Sequence, residues 1–291
     1  MTRIYPLRET SRRPQCAQDF EWPTLPDDFN WATDYLDAYA RGNPRTALHI
    51  VDDGGRGAGA RTSALLSYDG LSRQTAQVAN YLRANGVRVG DRVLIMLPNC
   101  VDIFLVTIAC IKIGATLVPS TPVGAQRCQP HPKRPSSAGH MARLFFSRGT
   151  GTCAQLLTEA DLADRLRRSD ARHVVAQDAS VTLFERVLAV LPGHPRPRLH
   201  WVGPPKTAVP HGWQALSREY AAHSDVYVRD WTTWPDMELL LYFTSGTTST
   251  PKMVQHTHRS YPVGHLTYAI RCKDVRVDMP VLKSTVHAFS G

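Results

Sequence analysis

The stretch DRVLIMLPNCVDIFLVTIACIKIGATLVP, residues 91–119, decides the fold class of this chain. Residues 91–97 form a largely apolar run typical of a buried strand, which Pro98-Asn99 ends. Residues 100–113 have the length and apolar character of a buried helix that Gly114 ends, and residues 115–119 predict a second strand. A strand, a helix and a strand of these lengths predict a crossover between parallel strands.

Segments on both sides of this unit continue the alternation of strands and helices. Helices are expected at residues 30–40, 72–85, 158–168, 183–191, 213–220 and 253–258, and strands at 47–51, 172–176, 199–202 and 237–243. The helix from 158 begins with a capping box, Thr158-Glu159-Ala160-Asp161, and the strand at 47–51 leads into a turn at 52–55. No internal repeat is visible. The pattern therefore predicts a layered α/β fold.

The strand at residues 237–243 leads directly into the loop TSGTTSTPK, residues 244–252. Serine and threonine hydroxyls donate hydrogen bonds to phosphate oxygens, and Gly246 allows backbone amides to approach an anion closely. Lys252 supplies a cation, and a helix after the loop would direct its N-terminal amides at the same anion. The loop does not fit the Walker pattern. The composition indicates a phosphate-binding loop or a surface turn rich in serine and threonine.

The complete string decides between these alternatives, because it resembles the Y-T-S-G-[ST]-[ST]-G-x-P-K signature of the adenylate-forming superfamily. This superfamily includes acyl-CoA synthetases, adenylation domains of peptide synthetases and luciferases. The flanking residues 90–99, 112–119 and 252–261 resemble its short- and medium-chain or aromatic acid–CoA ligases. The resemblance covers residues 25–122 and 156–270. It implies the layered mixed α/β N-terminal domain of the adenylate-forming fold, incomplete and without the small C-terminal domain.

The resemblance implies a two-step reaction at this loop. A carboxylic acid attacks the α-phosphorus of Mg²⁺-bound ATP to give an acyl-adenylate and pyrophosphate, and the thiol of CoA then displaces AMP. Fixed donors and cations stabilise the charge on the leaving pyrophosphate. By motif position, the residues that contact ATP phosphates are Thr244, Ser245, Gly246, Thr247, Thr248 and Lys252. Lys252 is also the expected catalytic residue, acting through its phosphate contact.

One position departs from the signature, because Ser249 stands where the superfamily usually has glycine. If this position requires a positive φ, a serine strains the loop by about 1 kcal/mol. We therefore expect weakened but retained phosphate binding.

Three other interpretations, a metal site, a serine hydrolase and a catalytic lysine at residue 112, are not favoured. His256, His258 and His265 are expected to be surface and packing residues, without a metal. Ser245 lacks the G-x-S-x-G setting of a hydrolase nucleophile. Lys112, in an apolar helix, is expected to extend its ammonium group to solvent.

The chain has 291 residues, a net charge of +9 and the composition of a soluble globular protein. Its basic residues concentrate in residues 1–15, 123–155 and 271–291, so nucleic-acid binding is not expected. The six cysteines suggest neither a disulfide framework nor a zinc site. No signal peptide or membrane span is expected, because the longest apolar run covers only residues 103–111. These features indicate a cytoplasmic protein.

Residues 1–24 are interpreted as an N-terminal extension, and residues 25–270 as a partial AMP-binding domain interrupted at residues 123–155. The interrupting stretch is rich in arginine, proline, glycine and serine, and removing it joins two segments that resemble the superfamily. It is either a retained intron that keeps the reading frame or a true surface insertion, which loops tolerate.

Residues 271–291 form an atypical tail that no longer resembles the superfamily. Two functions are therefore expected from the sequence. The chain is either the N-terminal part of an AMP-forming acid–CoA ligase, or a truncated non-catalytic relative with weak or no nucleotide binding. The pocket for the acid is expected mostly outside this chain.

Overall fold

The computed structural model describes residues 25–52, 61–120, 157–191, 193, 195–244, 251–262 and 264. The three basic stretches, the turn after residue 52 and His265 lie outside these ranges. The described strands are β1 Thr46–Asp52, β2 Arg61–Ser67, β3 Arg92–Met96, β4 Thr116–Pro119, β5 His173–Gln177, β6 Arg198–Val202, β7 Trp213–Gln214, β8 Glu238–Thr244 and β9 Lys252–Thr257. The described helices are α1 Asp37–Ala40, α2 Tyr68–Ala84, α3 Val101–Ile113, α4 Glu159–Ser169, α5 Val181–Ala189 and α6 Leu216–Glu219.

The predicted parallel unit of residues 91–119 is confirmed. Strands β3 and β4 pair in parallel, with Val93 beside Leu117 and Leu94 beside Val118. Helix α3 connects them and ends at Gly114, whose φ of 77° lies in the left-handed region that glycine adopts at low cost. This unit forms the centre of the sheet.

In the described part of the chain, a seven-stranded sheet has the order β7-β6-β5-β3-β4-β8-β9. Its strands are parallel except β9, which runs antiparallel to β8. Strands β1 and β2 form a separate antiparallel pair. The predicted layered mixed α/β fold is therefore confirmed.

Side chains of alternate residues in β3 enter different cores, as expected for a strand covered on both faces. Val93 and Ile95 pack in one apolar cluster with α2 and α3. Leu94 and Met96 pack in a second cluster with α4 and α5. The sheet is thus the middle layer of three.

Most predicted elements are present with shifted ends, and the capping box of α4 is confirmed. The Thr158 hydroxyl accepts from the Asp161 amide at 3.1 Å, and the Asp161 carboxylate accepts from the Thr158 amide at 3.0 Å. The predicted helix at 30–40 consists of a π-helical turn, Trp31–Leu36, continued by α1. Helix α2 begins four residues before its predicted start.

The predicted helix at residues 213–220 is wrong in its first part. Trp213 and Gln214 pair with β6 as the short edge strand β7, and the helix begins only at Leu216. The expectation that Lys112 reaches solvent is also wrong. Its side chain is buried, and its Nζ lies 2.8 Å from the Asp37 carboxylate and 3.1 Å from the Ser72 carbonyl. The N-terminal helical segment, residues 31–40, covers the position through which the lysine would have reached water.

Across the described ranges, each helix is too short or too polar to cross a membrane.

Candidate functional site

The predicted phosphate-binding loop connects the two strands of a β-hairpin. Strand β8 carries the buried residues Leu239, Leu240 and Leu241 and pairs in antiparallel register with β9. The predicted helix from residue 253 is therefore wrong, because residues 252–257 form β9. Six residues are too few to distinguish helical from strand periodicity, and the backbone hydrogen bonds offered by the free edge of β8 decided the outcome.

This correction changes the chemistry available at the loop. Since β9 follows the loop, the amides of a helix that starts at residue 253 are not available to bind an anion. The donors that remain are the amides and hydroxyls of the loop and the ammonium group of Lys252.

The hairpin brings the two ends of the loop together. Thr244 and Lys252 are register partners, and the Thr244 hydroxyl donates to the Lys252 carbonyl at 3.4 Å. Both residues are exposed. The other predicted phosphate contacts, Ser245, Gly246, Thr247 and Thr248, lie outside the described residues, as does Ser249.

Thr244, the last residue of β8, and Lys252, the first of β9, lie at the edge of the sheet where the parallel strands end. Leu117 of β4 pairs in parallel with Leu240 of β8, so both strands point their carboxyl ends in the same direction. In open α/β sheets, ligands bind outside this edge. Thr244 and Lys252 therefore lie where the fold class places its ligands.

Two arginines of α4 contact residues at the loop end of the hairpin, and the sequence patterns did not indicate them. The guanidinium carbons of Arg165 and Arg168 lie 5.4 Å and 5.2 Å from the ring centroid of Phe243. Arg168 also donates to the carbonyl of Pro251 at 2.8 Å and to the Asp164 carboxylate at 3.1 Å. Their spacing of three residues on one helix was the only available signal.

The two described histidines near the loop make packing contacts. The His256 ring lies edge-on to Tyr242 and to Tyr261, with centroids 5.9 Å apart in both pairs. His258 is fully buried, and burial, with a smaller effect of Arg229, lowers its pKa to about 4. Across the described ranges, no cluster of three or more histidine, cysteine or acidic residues could hold a metal ion.

Comparison with known proteins gives relatives along most of the chain. Human acyl-coenzyme A synthetase ACSM5, mitochondrial, is 28% identical over 247 residues, which cover 82% of this chain and 35% of that protein. Mouse acyl-coenzyme A synthetase ACSM3, mitochondrial, is 28% identical over 258 residues, which cover 85% of this chain and 36% of that protein. The chain thus spans about a third of the length of these relatives.

Solved structures show the same fold. The Brucella canis acyl-CoA synthetase superposes with a TM-score of 0.62 at 19% identity, over 86% of this chain and 39% of that one. The anthranilate CoA ligase AuaEII, in complex with anthranoyl-AMP, superposes with a TM-score of 0.61 at 19% identity, over 85% of this chain and 38% of that one.

The family model described as "AMP-binding enzyme" matches residues 36–286, which is most of the chain. The match includes the β8–β9 hairpin and the strands and helices of the three-layer fold. The chain belongs to the AMP-binding enzymes, the adenylate-forming superfamily, and corresponds to the N-terminal portion of its members.

Proposed function

We propose that this chain carries the ATP phosphate-binding part of an AMP-forming acid–CoA ligase. The overall reaction converts a carboxylic acid, ATP and CoA into acyl-CoA, AMP and pyrophosphate. The observation that carries the proposal is the pairing of Thr244 with Lys252 at the carboxyl edge of the parallel strands. Family membership supports it.

The hairpin suits a polyphosphate because its exposed end carries the ammonium group of Lys252 beside the hydroxyl of Thr244. Lys252 is exposed and can follow the charge that develops on the leaving pyrophosphate. The hydroxyl of Thr244 lies opposite, and we propose that Ser245, Thr247 and Thr248 add donors while Gly246 leaves room for backbone amides. Mg²⁺ enters as part of the Mg²⁺–ATP substrate.

The proposal also includes the class of acid that the enzyme uses and the location of the protein. The acyl-coenzyme A synthetases among the relatives, and the anthranilate CoA ligase with its anthranoyl-AMP, favour a small carboxylic acid, within fatty acid or aromatic acid metabolism. No nucleic-acid partner is proposed. A cytoplasmic location stays a prediction from the sequence, and the names of the human and mouse relatives include the word mitochondrial.

We propose the same division of the chain into segments that the sequence suggests. Residues 25–270 are the partial AMP-binding domain, residues 1–24 and 271–291 flank it, and residues 123–155 interrupt it. The described strands β4 and β8 pair directly although this stretch lies between them in the sequence.

A second candidate is a non-catalytic relative that binds nucleotide weakly or not at all. The replacement of the usual glycine by Ser249 favours it. It predicts that the purified chain folds, binds Mg²⁺–ATP weakly or not at all, and supports no partial reaction.

Binding of Mg²⁺–ATP to the 291-residue chain tests the phosphate site by calorimetry. Lys252→Ala should weaken binding by about 10- to 100-fold, as expected for loss of a charge-assisted contact. Lys206→Ala is the matched control. Lys206 is an exposed lysine in the connection between β6 and β7, and β6 lies four strand spacings, about 19 Å, from β8. Equal affinities of Lys252→Ala and wild type would contradict the proposal.

Pyrophosphate exchange over a panel of short-chain, medium-chain and aromatic acids tests the chemistry. Acid-dependent exchange above background supports the ligase. Folded protein without acid-dependent exchange supports the non-catalytic candidate.

A further inference from the structure

Arg168 contacts both ends of the phosphate-binding loop with a single guanidinium group. Its guanidinium carbon lies 5.2 Å from the centroid of Phe243, the residue immediately before Thr244. Its Nη1 donates at 2.8 Å to the carbonyl of Pro251, the residue immediately before Lys252. The chain leaves the sheet after the first contact and returns to it after the second.

The bond to Pro251 acts on the backbone torsion that orients Lys252. The ring of a proline holds φ near −65°, so ψ is the free torsion of Pro251. A hydrogen bond to the carbonyl oxygen restricts this ψ, because it fixes the plane of the peptide that joins Pro251 to Lys252. Arg168 therefore sets the direction in which the chain enters Lys252.

Arg168 is itself held from two sides. Its Nη1 lies 3.1 Å from the carboxylate of Asp164, one turn earlier on α4. The ring of Phe243 also carries Arg165 at 5.4 Å, and Phe243 packs against the apolar cluster under α4 and α5. The guanidinium is thus partly ordered before any nucleotide binds, and preorganised groups lose less freedom on binding.

We propose that Arg168 is a positioning residue for Lys252 in the binding of ATP phosphates. It ties both strands of the hairpin to α4, so that the ammonium group of Lys252 is held near the phosphates without contact between Arg168 and the nucleotide. This inference rests on the proposed function, since it requires phosphate binding at the loop.

A simpler role is packing of α4 against the sheet, and a double-mutant cycle separates the two. The variants are Arg168→Ala, Lys252→Ala and their combination, with binding of Mg²⁺–ATP and of magnesium tripolyphosphate measured by calorimetry. Arg168→Ala should weaken the binding of both ligands about tenfold, because it misplaces the group that binds them. In the Lys252→Ala background the same change should cost less than about twofold, because Arg168 is proposed to act through Lys252 and the effects of coupled residues are not additive.

Arg167→Ala is the matched control for charge. Arg167 is exposed on the same helix, next to Arg168 in sequence, so both variants remove one positive charge. We expect Arg167→Ala to bind Mg²⁺–ATP within about twofold of wild type, since exposed charges are screened by salt. Arg168→Lys keeps the charge and a hydrogen-bond donor group and should recover part of the affinity.

The outcomes separate this inference from the function on which it rests. Lys252→Ala without effect contradicts the proposed function and this inference together. Lys252→Ala with weakened binding, while Arg168→Ala matches Arg167→Ala, contradicts this inference alone, as does independent addition of the two losses. If Arg168→Ala does not fold, the variants Phe243→Tyr and Phe243→Leu take its place. Phe243→Tyr keeps the ring that Arg168 contacts and should bind Mg²⁺–ATP like wild type, whereas Phe243→Leu removes the ring and should bind it more weakly.

Discussion

The ammonium group of Lys112 lies 2.8 Å from the carboxylate of Asp37, with the lysine side chain only 1% exposed. The Ser72 hydroxyl donates to the same carboxylate oxygen at 2.6 Å. Burial lowers the pKa of Lys112, and Asp37 opposes that shift. This contact joins the N-terminal helical segment to α3, the helix at the centre of the parallel unit.

Asp37→Ala should lower the free energy of unfolding by about 3–5 kcal/mol, because it leaves a buried ammonium group without its counter-charge. Lys112→Met should cost less, since Asp37 retains Ser72 and is partly exposed. Urea unfolding monitored by circular dichroism measures both. Asp236→Ala, which removes the exposed partner of Arg259, should change stability by less than about 1 kcal/mol. Equal losses in Asp37→Ala and Asp236→Ala would show that the buried pair does not stabilise the fold.

Acid should destabilise this protein through a buried pair of histidines. His173 Nδ1 lies 3.2 Å from His200 Nε2 between neighbouring strands. Burial, with His173 and Arg198, lowers the pKa of His200 to about 3. Burial also lowers the pKa of His173, against the attraction of Asp91 at 3.8 Å and together with the repulsion of Arg198, Arg88 and Arg172.

The direction of the pH effect follows from these shifts. An unfolded histidine has a pKa of about 6.5, so between that pH and the lower folded pKa the unfolded chain binds more protons. The stability contributed by the neutral histidines is fully present above pH of about 6.5. On acidification the free energy of unfolding falls by at most about 1.4 kcal/mol per pH unit for each histidine. Urea unfolding at several pH values measures the slope. His200→Asn should reduce it, whereas His211→Asn, at an exposed site, should leave it unchanged.

Gly114 combines a required backbone conformation with a close neighbour. Its φ is 77°, and a Cβ atom at this position would overlap the ring of Trp231. Gly42, with a φ of 64° and no atom within 4 Å of such a Cβ, is the matched control. Gly42→Ala should cost about 1–2 kcal/mol for the left-handed conformation alone. Gly114→Ala should cost about 1–3 kcal/mol more for the overlap, measured as the difference in unfolding free energy. Equal losses would mean that Trp231 moves aside freely.

Ser249→Gly should tighten the binding of Mg²⁺–ATP. If the position requires a positive φ, removing about 1 kcal/mol of strain strengthens binding about fivefold. Calorimetry of the wild type and the variant measures the change. Ser245→Gly, which removes a proposed phosphate donor, should weaken binding instead. Unchanged affinity in Ser249→Gly counts against a strained serine.

Several elements could be predicted from local sequence because their signals are strong. The strands β3 to β6 are short apolar runs, α4 begins with a capping box, and α3 ends at a glycine in the left-handed conformation. Strand β2 was not predicted. Residues 61–67 were assigned to no element. They form a strand by pairing with β1, which is separated from them in the sequence.

The candidate site was only partly predictable. The motif predicts that Thr244 and Lys252 contact phosphate, which stays a prediction, whereas family membership is confirmed. The motif did not indicate that these residues face each other across a hairpin, nor that Arg165 and Arg168 contact residues at its loop end. Those contacts join residues about 80 positions apart, so no local pattern records them.

The sequence by itself determined the layered α/β class, the family and the place of the loop, because these depend on periodicity and on an ordered motif within a few residues. Only the tertiary structure decided that residues 252–257 form a strand and that Lys112 is buried. A free strand edge supplied hydrogen bonds that local propensity does not encode. Likewise, the helical segment that contains Asp37 covers Lys112, so the environment of a charge was set by a distant part of the chain.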